Sequence, residues 1–204
     1  MNLFDAVAAF NRACDVRLLN QPGWVSDDEL SLALRLIDEE TSELVDALTA
    51  RDLIEVADAI ADIMYVTAGL VLRIGGRSKM GNGEYLFDIT HRTPGWPVYD
   101  LDWADVWPDK ARTEARLLRS AVEQREHGLT CAYARIVLSS CALLGGVLAL
   151  PMRSIFETVQ ASNMSKLVDG KVLRREDGKI LKGPDFQPPD IAGVLARHGW
   201  TEAA

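Results

Sequence analysis

Six carboxylates stand at helical spacing in two neighbouring segments: Glu39, Glu40 and Glu43, then Glu55, Asp58 and Asp62. Residues three and four apart share a helix face. Glu40 and Glu43 are therefore neighbours on one turn, and Glu55, Asp58 and Asp62 form a stripe at i, i+3 and i+7. Asp58 and Asp62 sit in the run V-A-D-A-I-A-D-I-M-Y-V, where nearly everything else is small or apolar. Acids in an apolar helix repel one another, and each costs several kcal/mol if desolvated without a partner. Four or five pooled carboxylates without nearby lysines call for a hard divalent cation. All-oxygen ligation suits Mg²⁺ or Mn²⁺ rather than zinc. Taken alone, Glu39, Glu40 and Glu43 read equally well as a solvated helix face.

Pooling these acids requires two helices side by side. Ser26 or Asp27 is a good N-cap, and Leu30, Ala33, Leu34, Ile37, Thr41, Leu44, Val45 and Leu48 form one stripe, so a helix runs to about Ala50. A short break at Arg51–Asp52 leads into a helix from about Leu53 to Ile74, which Gly75–Gly76 stops. So short a link makes the two helices antiparallel and lets their acidic faces meet. An earlier helix is predicted over 2–19. Residues 76–110 are rich in turn formers and aromatics (Trp96, Trp103, Trp107), the mark of a loop that packs on a core or a subunit interface. Further helices are expected at about Lys110–Glu126, Thr130–Leu150 (separated by Gly128) and Met152–Asn163. The polar tail that follows can form at most a short hairpin near Asp177–Gly178. The fold class is all-α.

Composition sets the boundaries. The chain has 204 residues, 48% hydrophobic and 25% charged, as expected of one domain. Its 30 acidic and 22 basic residues give a net charge of −8, which argues against duplex nucleic acid as a partner. Three cysteines without a C-x-x-C pair fit a reducing cytoplasm. The start shows no signal-peptide pattern. The uncharged stretch from Ile136 to Met152 is short for a membrane span and reads as a buried helix. His91, His127 and His198 do not cluster, and no histidine chemistry is assigned to them.

The acidic pattern, continued by Ile63–Met64–Tyr65–Val66, resembles the all-α nucleoside triphosphate pyrophosphohydrolase superfamily, which includes MazG-like proteins, phosphoribosyl-ATP pyrophosphohydrolases and dimeric dUTPases. The stretch Ala161–Ser–Asn–Met–Ser–Lys–Leu167, with Asp177–Gly178–Lys179, Lys182–Gly183–Pro184 and Pro188–Pro189–Asp190, resembles the branch that acts on deoxynucleoside triphosphates. The likeness covers about 3–75 and 152–192. It implies a MazG-like helical bundle spanning 1–204, carrying an inserted loop and helix pair at about 76–150 and a basic tail from about 166. It also implies a homodimer or dimer of dimers that binds Mg²⁺ and splits a (d)NTP such as dUTP or dGTP into monophosphate and pyrophosphate. By position, Glu40, Glu43 and Asp62 would be metal ligands and Glu39 the base for the attacking water. The usual E-x-x-D pattern has Ala59 here, so Asp58 would take the missing ligand's place from one turn away, with Glu55 beside it. Phosphoribosyl-ATP as substrate and a non-catalytic nucleotide- or metal-binding protein are the alternatives.

The tail supplies cations. Lys166, Lys179 and Lys182 fall in the family motif and Arg174 lies beside them; such donors suit phosphate oxygens, or else form a solvated surface. Asn163 is placed either to bind substrate or to cap its own helix. Tyr65, three residues past Asp62, reads as a substrate contact or as core. For base selection, Asn11 offers donor and acceptor groups and Trp24 a stacking face, against the plainer readings of a surface Asn and a core Trp.

Overall fold

Asp52 ends one helix and starts the next. Arg51 adopts a left-handed conformation (φ 58°), which stops α2 (Asp27–Ala50), and the Asp52 N–H turns back to the Ala47 carbonyl at 3.0 Å. The Asp52 carboxylate then accepts the Ile54 and Glu55 N–H groups at 3.1 and 3.2 Å, opening α3 (Leu53–Arg73). At the far end of α2, Ser26 and Glu29 form the reciprocal capping box, with Ser26 N–H donating to Glu29 Oε2 at 3.1 Å. These two helices make the most extensive contact in the fold.

The computed structural model describes residues 2–81, 83–88 and 106–200; Trp96, Trp103 and His91 lie outside them. Among the described residues the architecture is all-α. Its axis is α3, which touches α1 (Leu3–Ala13), α2, α6 (His127–Val147), α7 (Met152–Met164) and α8 (Ile191–Arg197). A helix surrounded on so many sides must be apolar almost all round, and Ala57, Ile60, Ala61, Met64, Ala68, Leu70 and Val71 are fully buried. Gly75 (φ 68°) closes α3, where a Cβ would collide with the Gln21 carbonyl.

A single turn, α4 (Tyr85–Asp88), packs on α6, and the helix pair α5 (Trp107–Glu123) and α6 packs on α2 and α3. Arg119 pairs with Asp38, and Arg125 with Asp27, tying α5 to the outer face of α2. Trp107 is buried and helps cover the core. Helix α6 is long and apolar enough to cross a membrane by length and composition, yet half of its most apolar window is buried inside the fold.

Several boundaries differ from the sequence expectation. Helix α1 ends at Ala13 rather than at 19. Asp15 turns left-handed (φ 54°), Val16 N–H bonds to the Asn11 carbonyl at 2.8 Å, and the chain leaves the helix through this motif. Gly128 lies within α6. The break before it is at Arg125 (φ 57°), one of five non-glycine residues among the described residues adopting a conformation usually reserved for glycine. Pro108 sits in the first turn of α5, so that helix starts at Trp107 instead of Lys110. Near Asp177–Gly178 the tail does turn back on itself as expected, with an antiparallel Arg174–Ile180 bridge across the turn and a second bridge at Val168–Lys171. Helix α8 was not foreseen: seven residues hold too little periodicity, although Asp190, whose carboxylate accepts Gly193 N–H at 2.9 Å, is an N-cap signal.

Candidate active site

Four helices and the tail enclose a cavity of about 160 Å³. Along α3 its wall is Asp62, Tyr65, Val66, Gly69 and Arg73, one face at i, i+3, i+4, i+7 and i+11. Antiparallel α2 contributes Glu40, Leu36, Ala33 and Leu32; α1 contributes Val7, Phe10 and Asn11. The C-terminal end of α7 and the tail close it with Asn163, Lys166, Arg174, Gly178, Lys179 and Ile180. The acids gather at one end; toward the other, apolar side chains are joined by the Arg73 guanidinium, eleven residues beyond Asp62 on α3.

At the charged end the acids of α2 and α3 act on one another. Burial pushes Glu40 up to about 8, with Asp62, Glu43 and Glu39 adding repulsion and Lys179 opposing it. Burial likewise raises Asp62 to about 7, where Asp58 and Glu43 repel and Lys166 and Lys182 attract. Asp58 rises to about 6 through burial and then through Glu55 and Glu43. Glu43 and Glu55 are exposed, at the outer edge of the cluster.

The residues suit a hard cation in two respects. The donors are carboxylate oxygens, and Asp58 Oδ1 is buried without a hydrogen-bond partner among the described residues. In the arrangement described, no three Asp, Glu, His or Cys side chains of the described residues are grouped closely enough to hold a metal ion. Side-chain rotation would be needed to gather them.

The cations approach from the opposite side. Lys166 Nζ donates to Asn163 Oδ1 at 2.6 Å, and both residues line the cavity. Burial pushes the Lys166 ammonium down while Asp62 and Glu40 hold it up. Lys179 pairs with Glu39. Gly178 (φ 88°) makes the turn that presents it, fixed by Gly178 N–H donating to the Arg175 carbonyl at 2.9 Å. Arg174 donates to the Cys14 carbonyl and, at 3.0 Å, to the Gly178 carbonyl, so it fastens the tail over the α1 end. Lys182 does not line the cavity; its ammonium lies 4.8 Å from the centre of the Phe186 ring and acts on Asp58 and Asp62 only at a distance.

The structure places two further sequence candidates, each of which had two readings. Tyr65 is both core and wall: it is 6% exposed, its ring meets Phe10 and Phe156, and its hydroxyl donates to Gln160 Oε1 at 2.7 Å. Trp24 is not at the cavity. It packs edge-on against His127 under the Arg125 guanidinium, because the loop before α2 is pinned to the C-terminal end of α3 by Gly23 N–H donating to the Ile74 carbonyl at 3.1 Å. Gly69 and Arg73 were missed, although they continue the Asp62–Val66 stripe at helical spacing.

Residues 7–75 match the phosphoribosyl-ATP pyrophosphohydrolase family, which supports a nucleotide pyrophosphohydrolase kind of activity. The chain is 26% identical to an uncharacterized protein of Acanthamoeba polyphaga mimivirus, over 81% of this chain and 83% of that protein. No solved structure matches it.

Proposed function

From the premise that residues 7–75 carry a domain of the MazG-like all-α NTP pyrophosphohydrolase superfamily, we propose that the chain hydrolyses a deoxynucleoside triphosphate such as dUTP or dGTP to the monophosphate and pyrophosphate. Mg²⁺ would be its cofactor, with Mn²⁺ able to substitute, and the protein would act as a homodimer or dimer of dimers. The observation that carries this reading is one cavity shared by Glu40 and Asp62 on one side and Lys166 and Lys179 on the other. Acids alone would repel a polyphosphate. Acids that hold a cation, faced by amines, grip one.

Glu40, Glu43 and Asp62 would hold the ion, with Asp58 offering its unpartnered oxygen and Glu55 standing outermost. Bound there, Mg²⁺ supplies charge neutralisation at the phosphate oxygens and a more acidic water. The chain's own groups do the rest. Glu39 accepts a proton as the water oxygen bonds to the α-phosphorus; the bond from that phosphorus to the α–β bridging oxygen breaks, and its electron pair leaves with pyrophosphate. Lys166 and Lys179 face the charge that builds on the leaving group. Exchange of Glu39 for phosphate by Lys179 frees the carboxylate to act as base. Asn163 orients Lys166 through the 2.6 Å bond.

The test incubates the protein and Mg²⁺ with each dNTP and with phosphoribosyl-ATP, and resolves the products. Monophosphate plus pyrophosphate from a dNTP is expected. Orthophosphate plus diphosphate would reject the bond assignment. Turnover confined to phosphoribosyl-ATP would transfer the activity to the substrate the matched family is named for. Tight binding without turnover would leave a non-catalytic nucleotide-binding protein.

A further inference from the structure

The turn of the tail that carries Lys179 meets α2 at three places on one face of the helix. Leu32, Arg35 and Glu39 stand there at i, i+3 and i+7. Opposite them, a Cβ placed on Gly178 would lie 3.3 Å from Leu32 Cδ2, Arg35 Nη2 lies 3.2 Å from Asp177 Oδ2, and Lys179 pairs with Glu39. The two ion pairs run in opposite senses: the helix supplies the cation to one and the acid to the other. Turned end for end, the tail would set Lys179 against Arg35 and Asp177 against Glu39, so the charges fix its register.

Asp177 is the more firmly held of the two tail residues. Its carboxylate also accepts Arg175 Nε and Nη2 at 3.0 and 2.6 Å and the Lys179 N–H at 3.2 Å. These donors, the Arg175 guanidinium first, keep its carboxyl well below the usual carboxylate range. Lys179 reaches Glu39 only through an ammonium on a flexible stem. Lys179 lines the cavity; Arg35 and Asp177 do not.

We propose that Arg35 and Asp177 are positioning residues for Lys179: their pair anchors the turn on α2, so that the ammonium can leave Glu39 for a phosphate while its backbone stays in place. The proposal deepens the hydrolase reading above and rests on it for the ligand. With the anchor intact, the amine stays at the cavity rim at high effective concentration when its pair with Glu39 opens. Both anchor side chains are partly open to solvent, so the pair adds little global stability. It acts through where it holds Lys179.

The test has two arms, run on Arg35→Ala, Asp177→Asn and Arg35→Lys. Hydrogen–deuterium exchange read by mass spectrometry follows residues 174–181, where Arg175 N–H bonds to the Lys179 carbonyl at 2.8 Å. Exchange there should speed by about threefold or more in the first two variants and return to the wild-type rate in Arg35→Lys, with Tm unchanged. Steady-state kinetics uses the dNTP that the wild type turns over. There kcat/KM should fall by about three- to tenfold in Arg35→Ala and Asp177→Asn and recover in Arg35→Lys. Both losses should vanish in a Lys179→Met background, since residues that act through Lys179 then have nothing to position. Unchanged exchange in both variants would overturn the anchor. Faster exchange with unchanged kcat/KM, or losses that persist beside Lys179→Met, would overturn the positioning role. A wild type that turns over no nucleotide would remove the hydrolase, and the exchange arm would still decide the anchor.

Discussion

Lys179, at a turn in the tail, pairs with Glu39 on α2, 140 residues earlier in the chain. This contact places an amine at the rim of an acidic cluster that would otherwise repel any anion. Both partners remain partly open to solvent, so the pair itself adds little stability. Its position is what carries weight.

Replacement of Lys179 by Met should therefore lower kcat/KM by about 10–100-fold, the equivalent of one charge-assisted hydrogen bond of about 1.5–3 kcal/mol. Tm should move by less than about 2 °C. Steady-state kinetics beside a thermal melt checks this, and an unchanged kcat/KM would reduce Lys179 to a surface cation.

Glu40→Gln and Asp62→Asn should each reduce turnover below detection with helix content preserved by circular dichroism. In the absence of metal both should also melt higher than wild type. Each removes a charge that burial and neighbouring carboxylates disfavour, a relief on the order of 1 kcal/mol or about 2–4 °C at this size. A catalytic loss accompanied by a lower melting temperature would point to a structural role instead.

The same shifts give a pH dependence. Glu40, Asp62 and Asp58 have folded values raised from 4.5, 3.8 and 3.8 to about 8, 7 and 6. Between those limits the folded state keeps protons that the unfolded state has released, so stability from these groups is fullest below about pH 4 and is lost as pH rises to about 8. Metal-free protein should lose Tm across this window. Added Mg²⁺ should raise Tm more at pH 8 than at pH 5, where protons compete for the same oxygens. Melts with EDTA and with Mg²⁺ at both pH values measure it; a Mg²⁺ effect larger at pH 5 would contradict the assignment.

Asp52→Ala tests the hairpin that brings the acids together. Loss of the N-cap of α3 should cost about 1 kcal/mol and about 2–4 °C in Tm. Activity at low temperature should stay within twofold, because Asp52 lies a full ten residues before Asp62 and caps the helix without touching the cavity.

The central hairpin was legible in the sequence because every local signal agreed. Ser26 with Glu29 marks a start, Arg51–Asp52 is too short for anything but an antiparallel turn, and the apolar stripe of α2 has a single period. What could not be read depended on contacts far apart in the chain. Asp15, Arg51 and Arg125 adopt left-handed conformations that residue type does not announce, so the end of α1 was placed too late and Gly128 was mistaken for a break. Trp24 looked suited to stacking on a base, but a backbone bond to Ile74 sets it against His127. Asn11 was visible only as a polar residue on an apolar helix. Its lack of a partner is a property of the assembled cavity.

The most direct test of the acid-lined site is hydrolysis in water enriched with ¹⁸O. Wild-type protein, Mg²⁺ and the dNTP it turns over are mixed, and the products are weighed by mass spectrometry beside a Glu40→Gln control. The account predicts one ¹⁸O in the nucleoside monophosphate, none in the pyrophosphate, and no product from the variant or with EDTA. Label in pyrophosphate or orthophosphate, or undiminished product from Glu40→Gln, would contradict it.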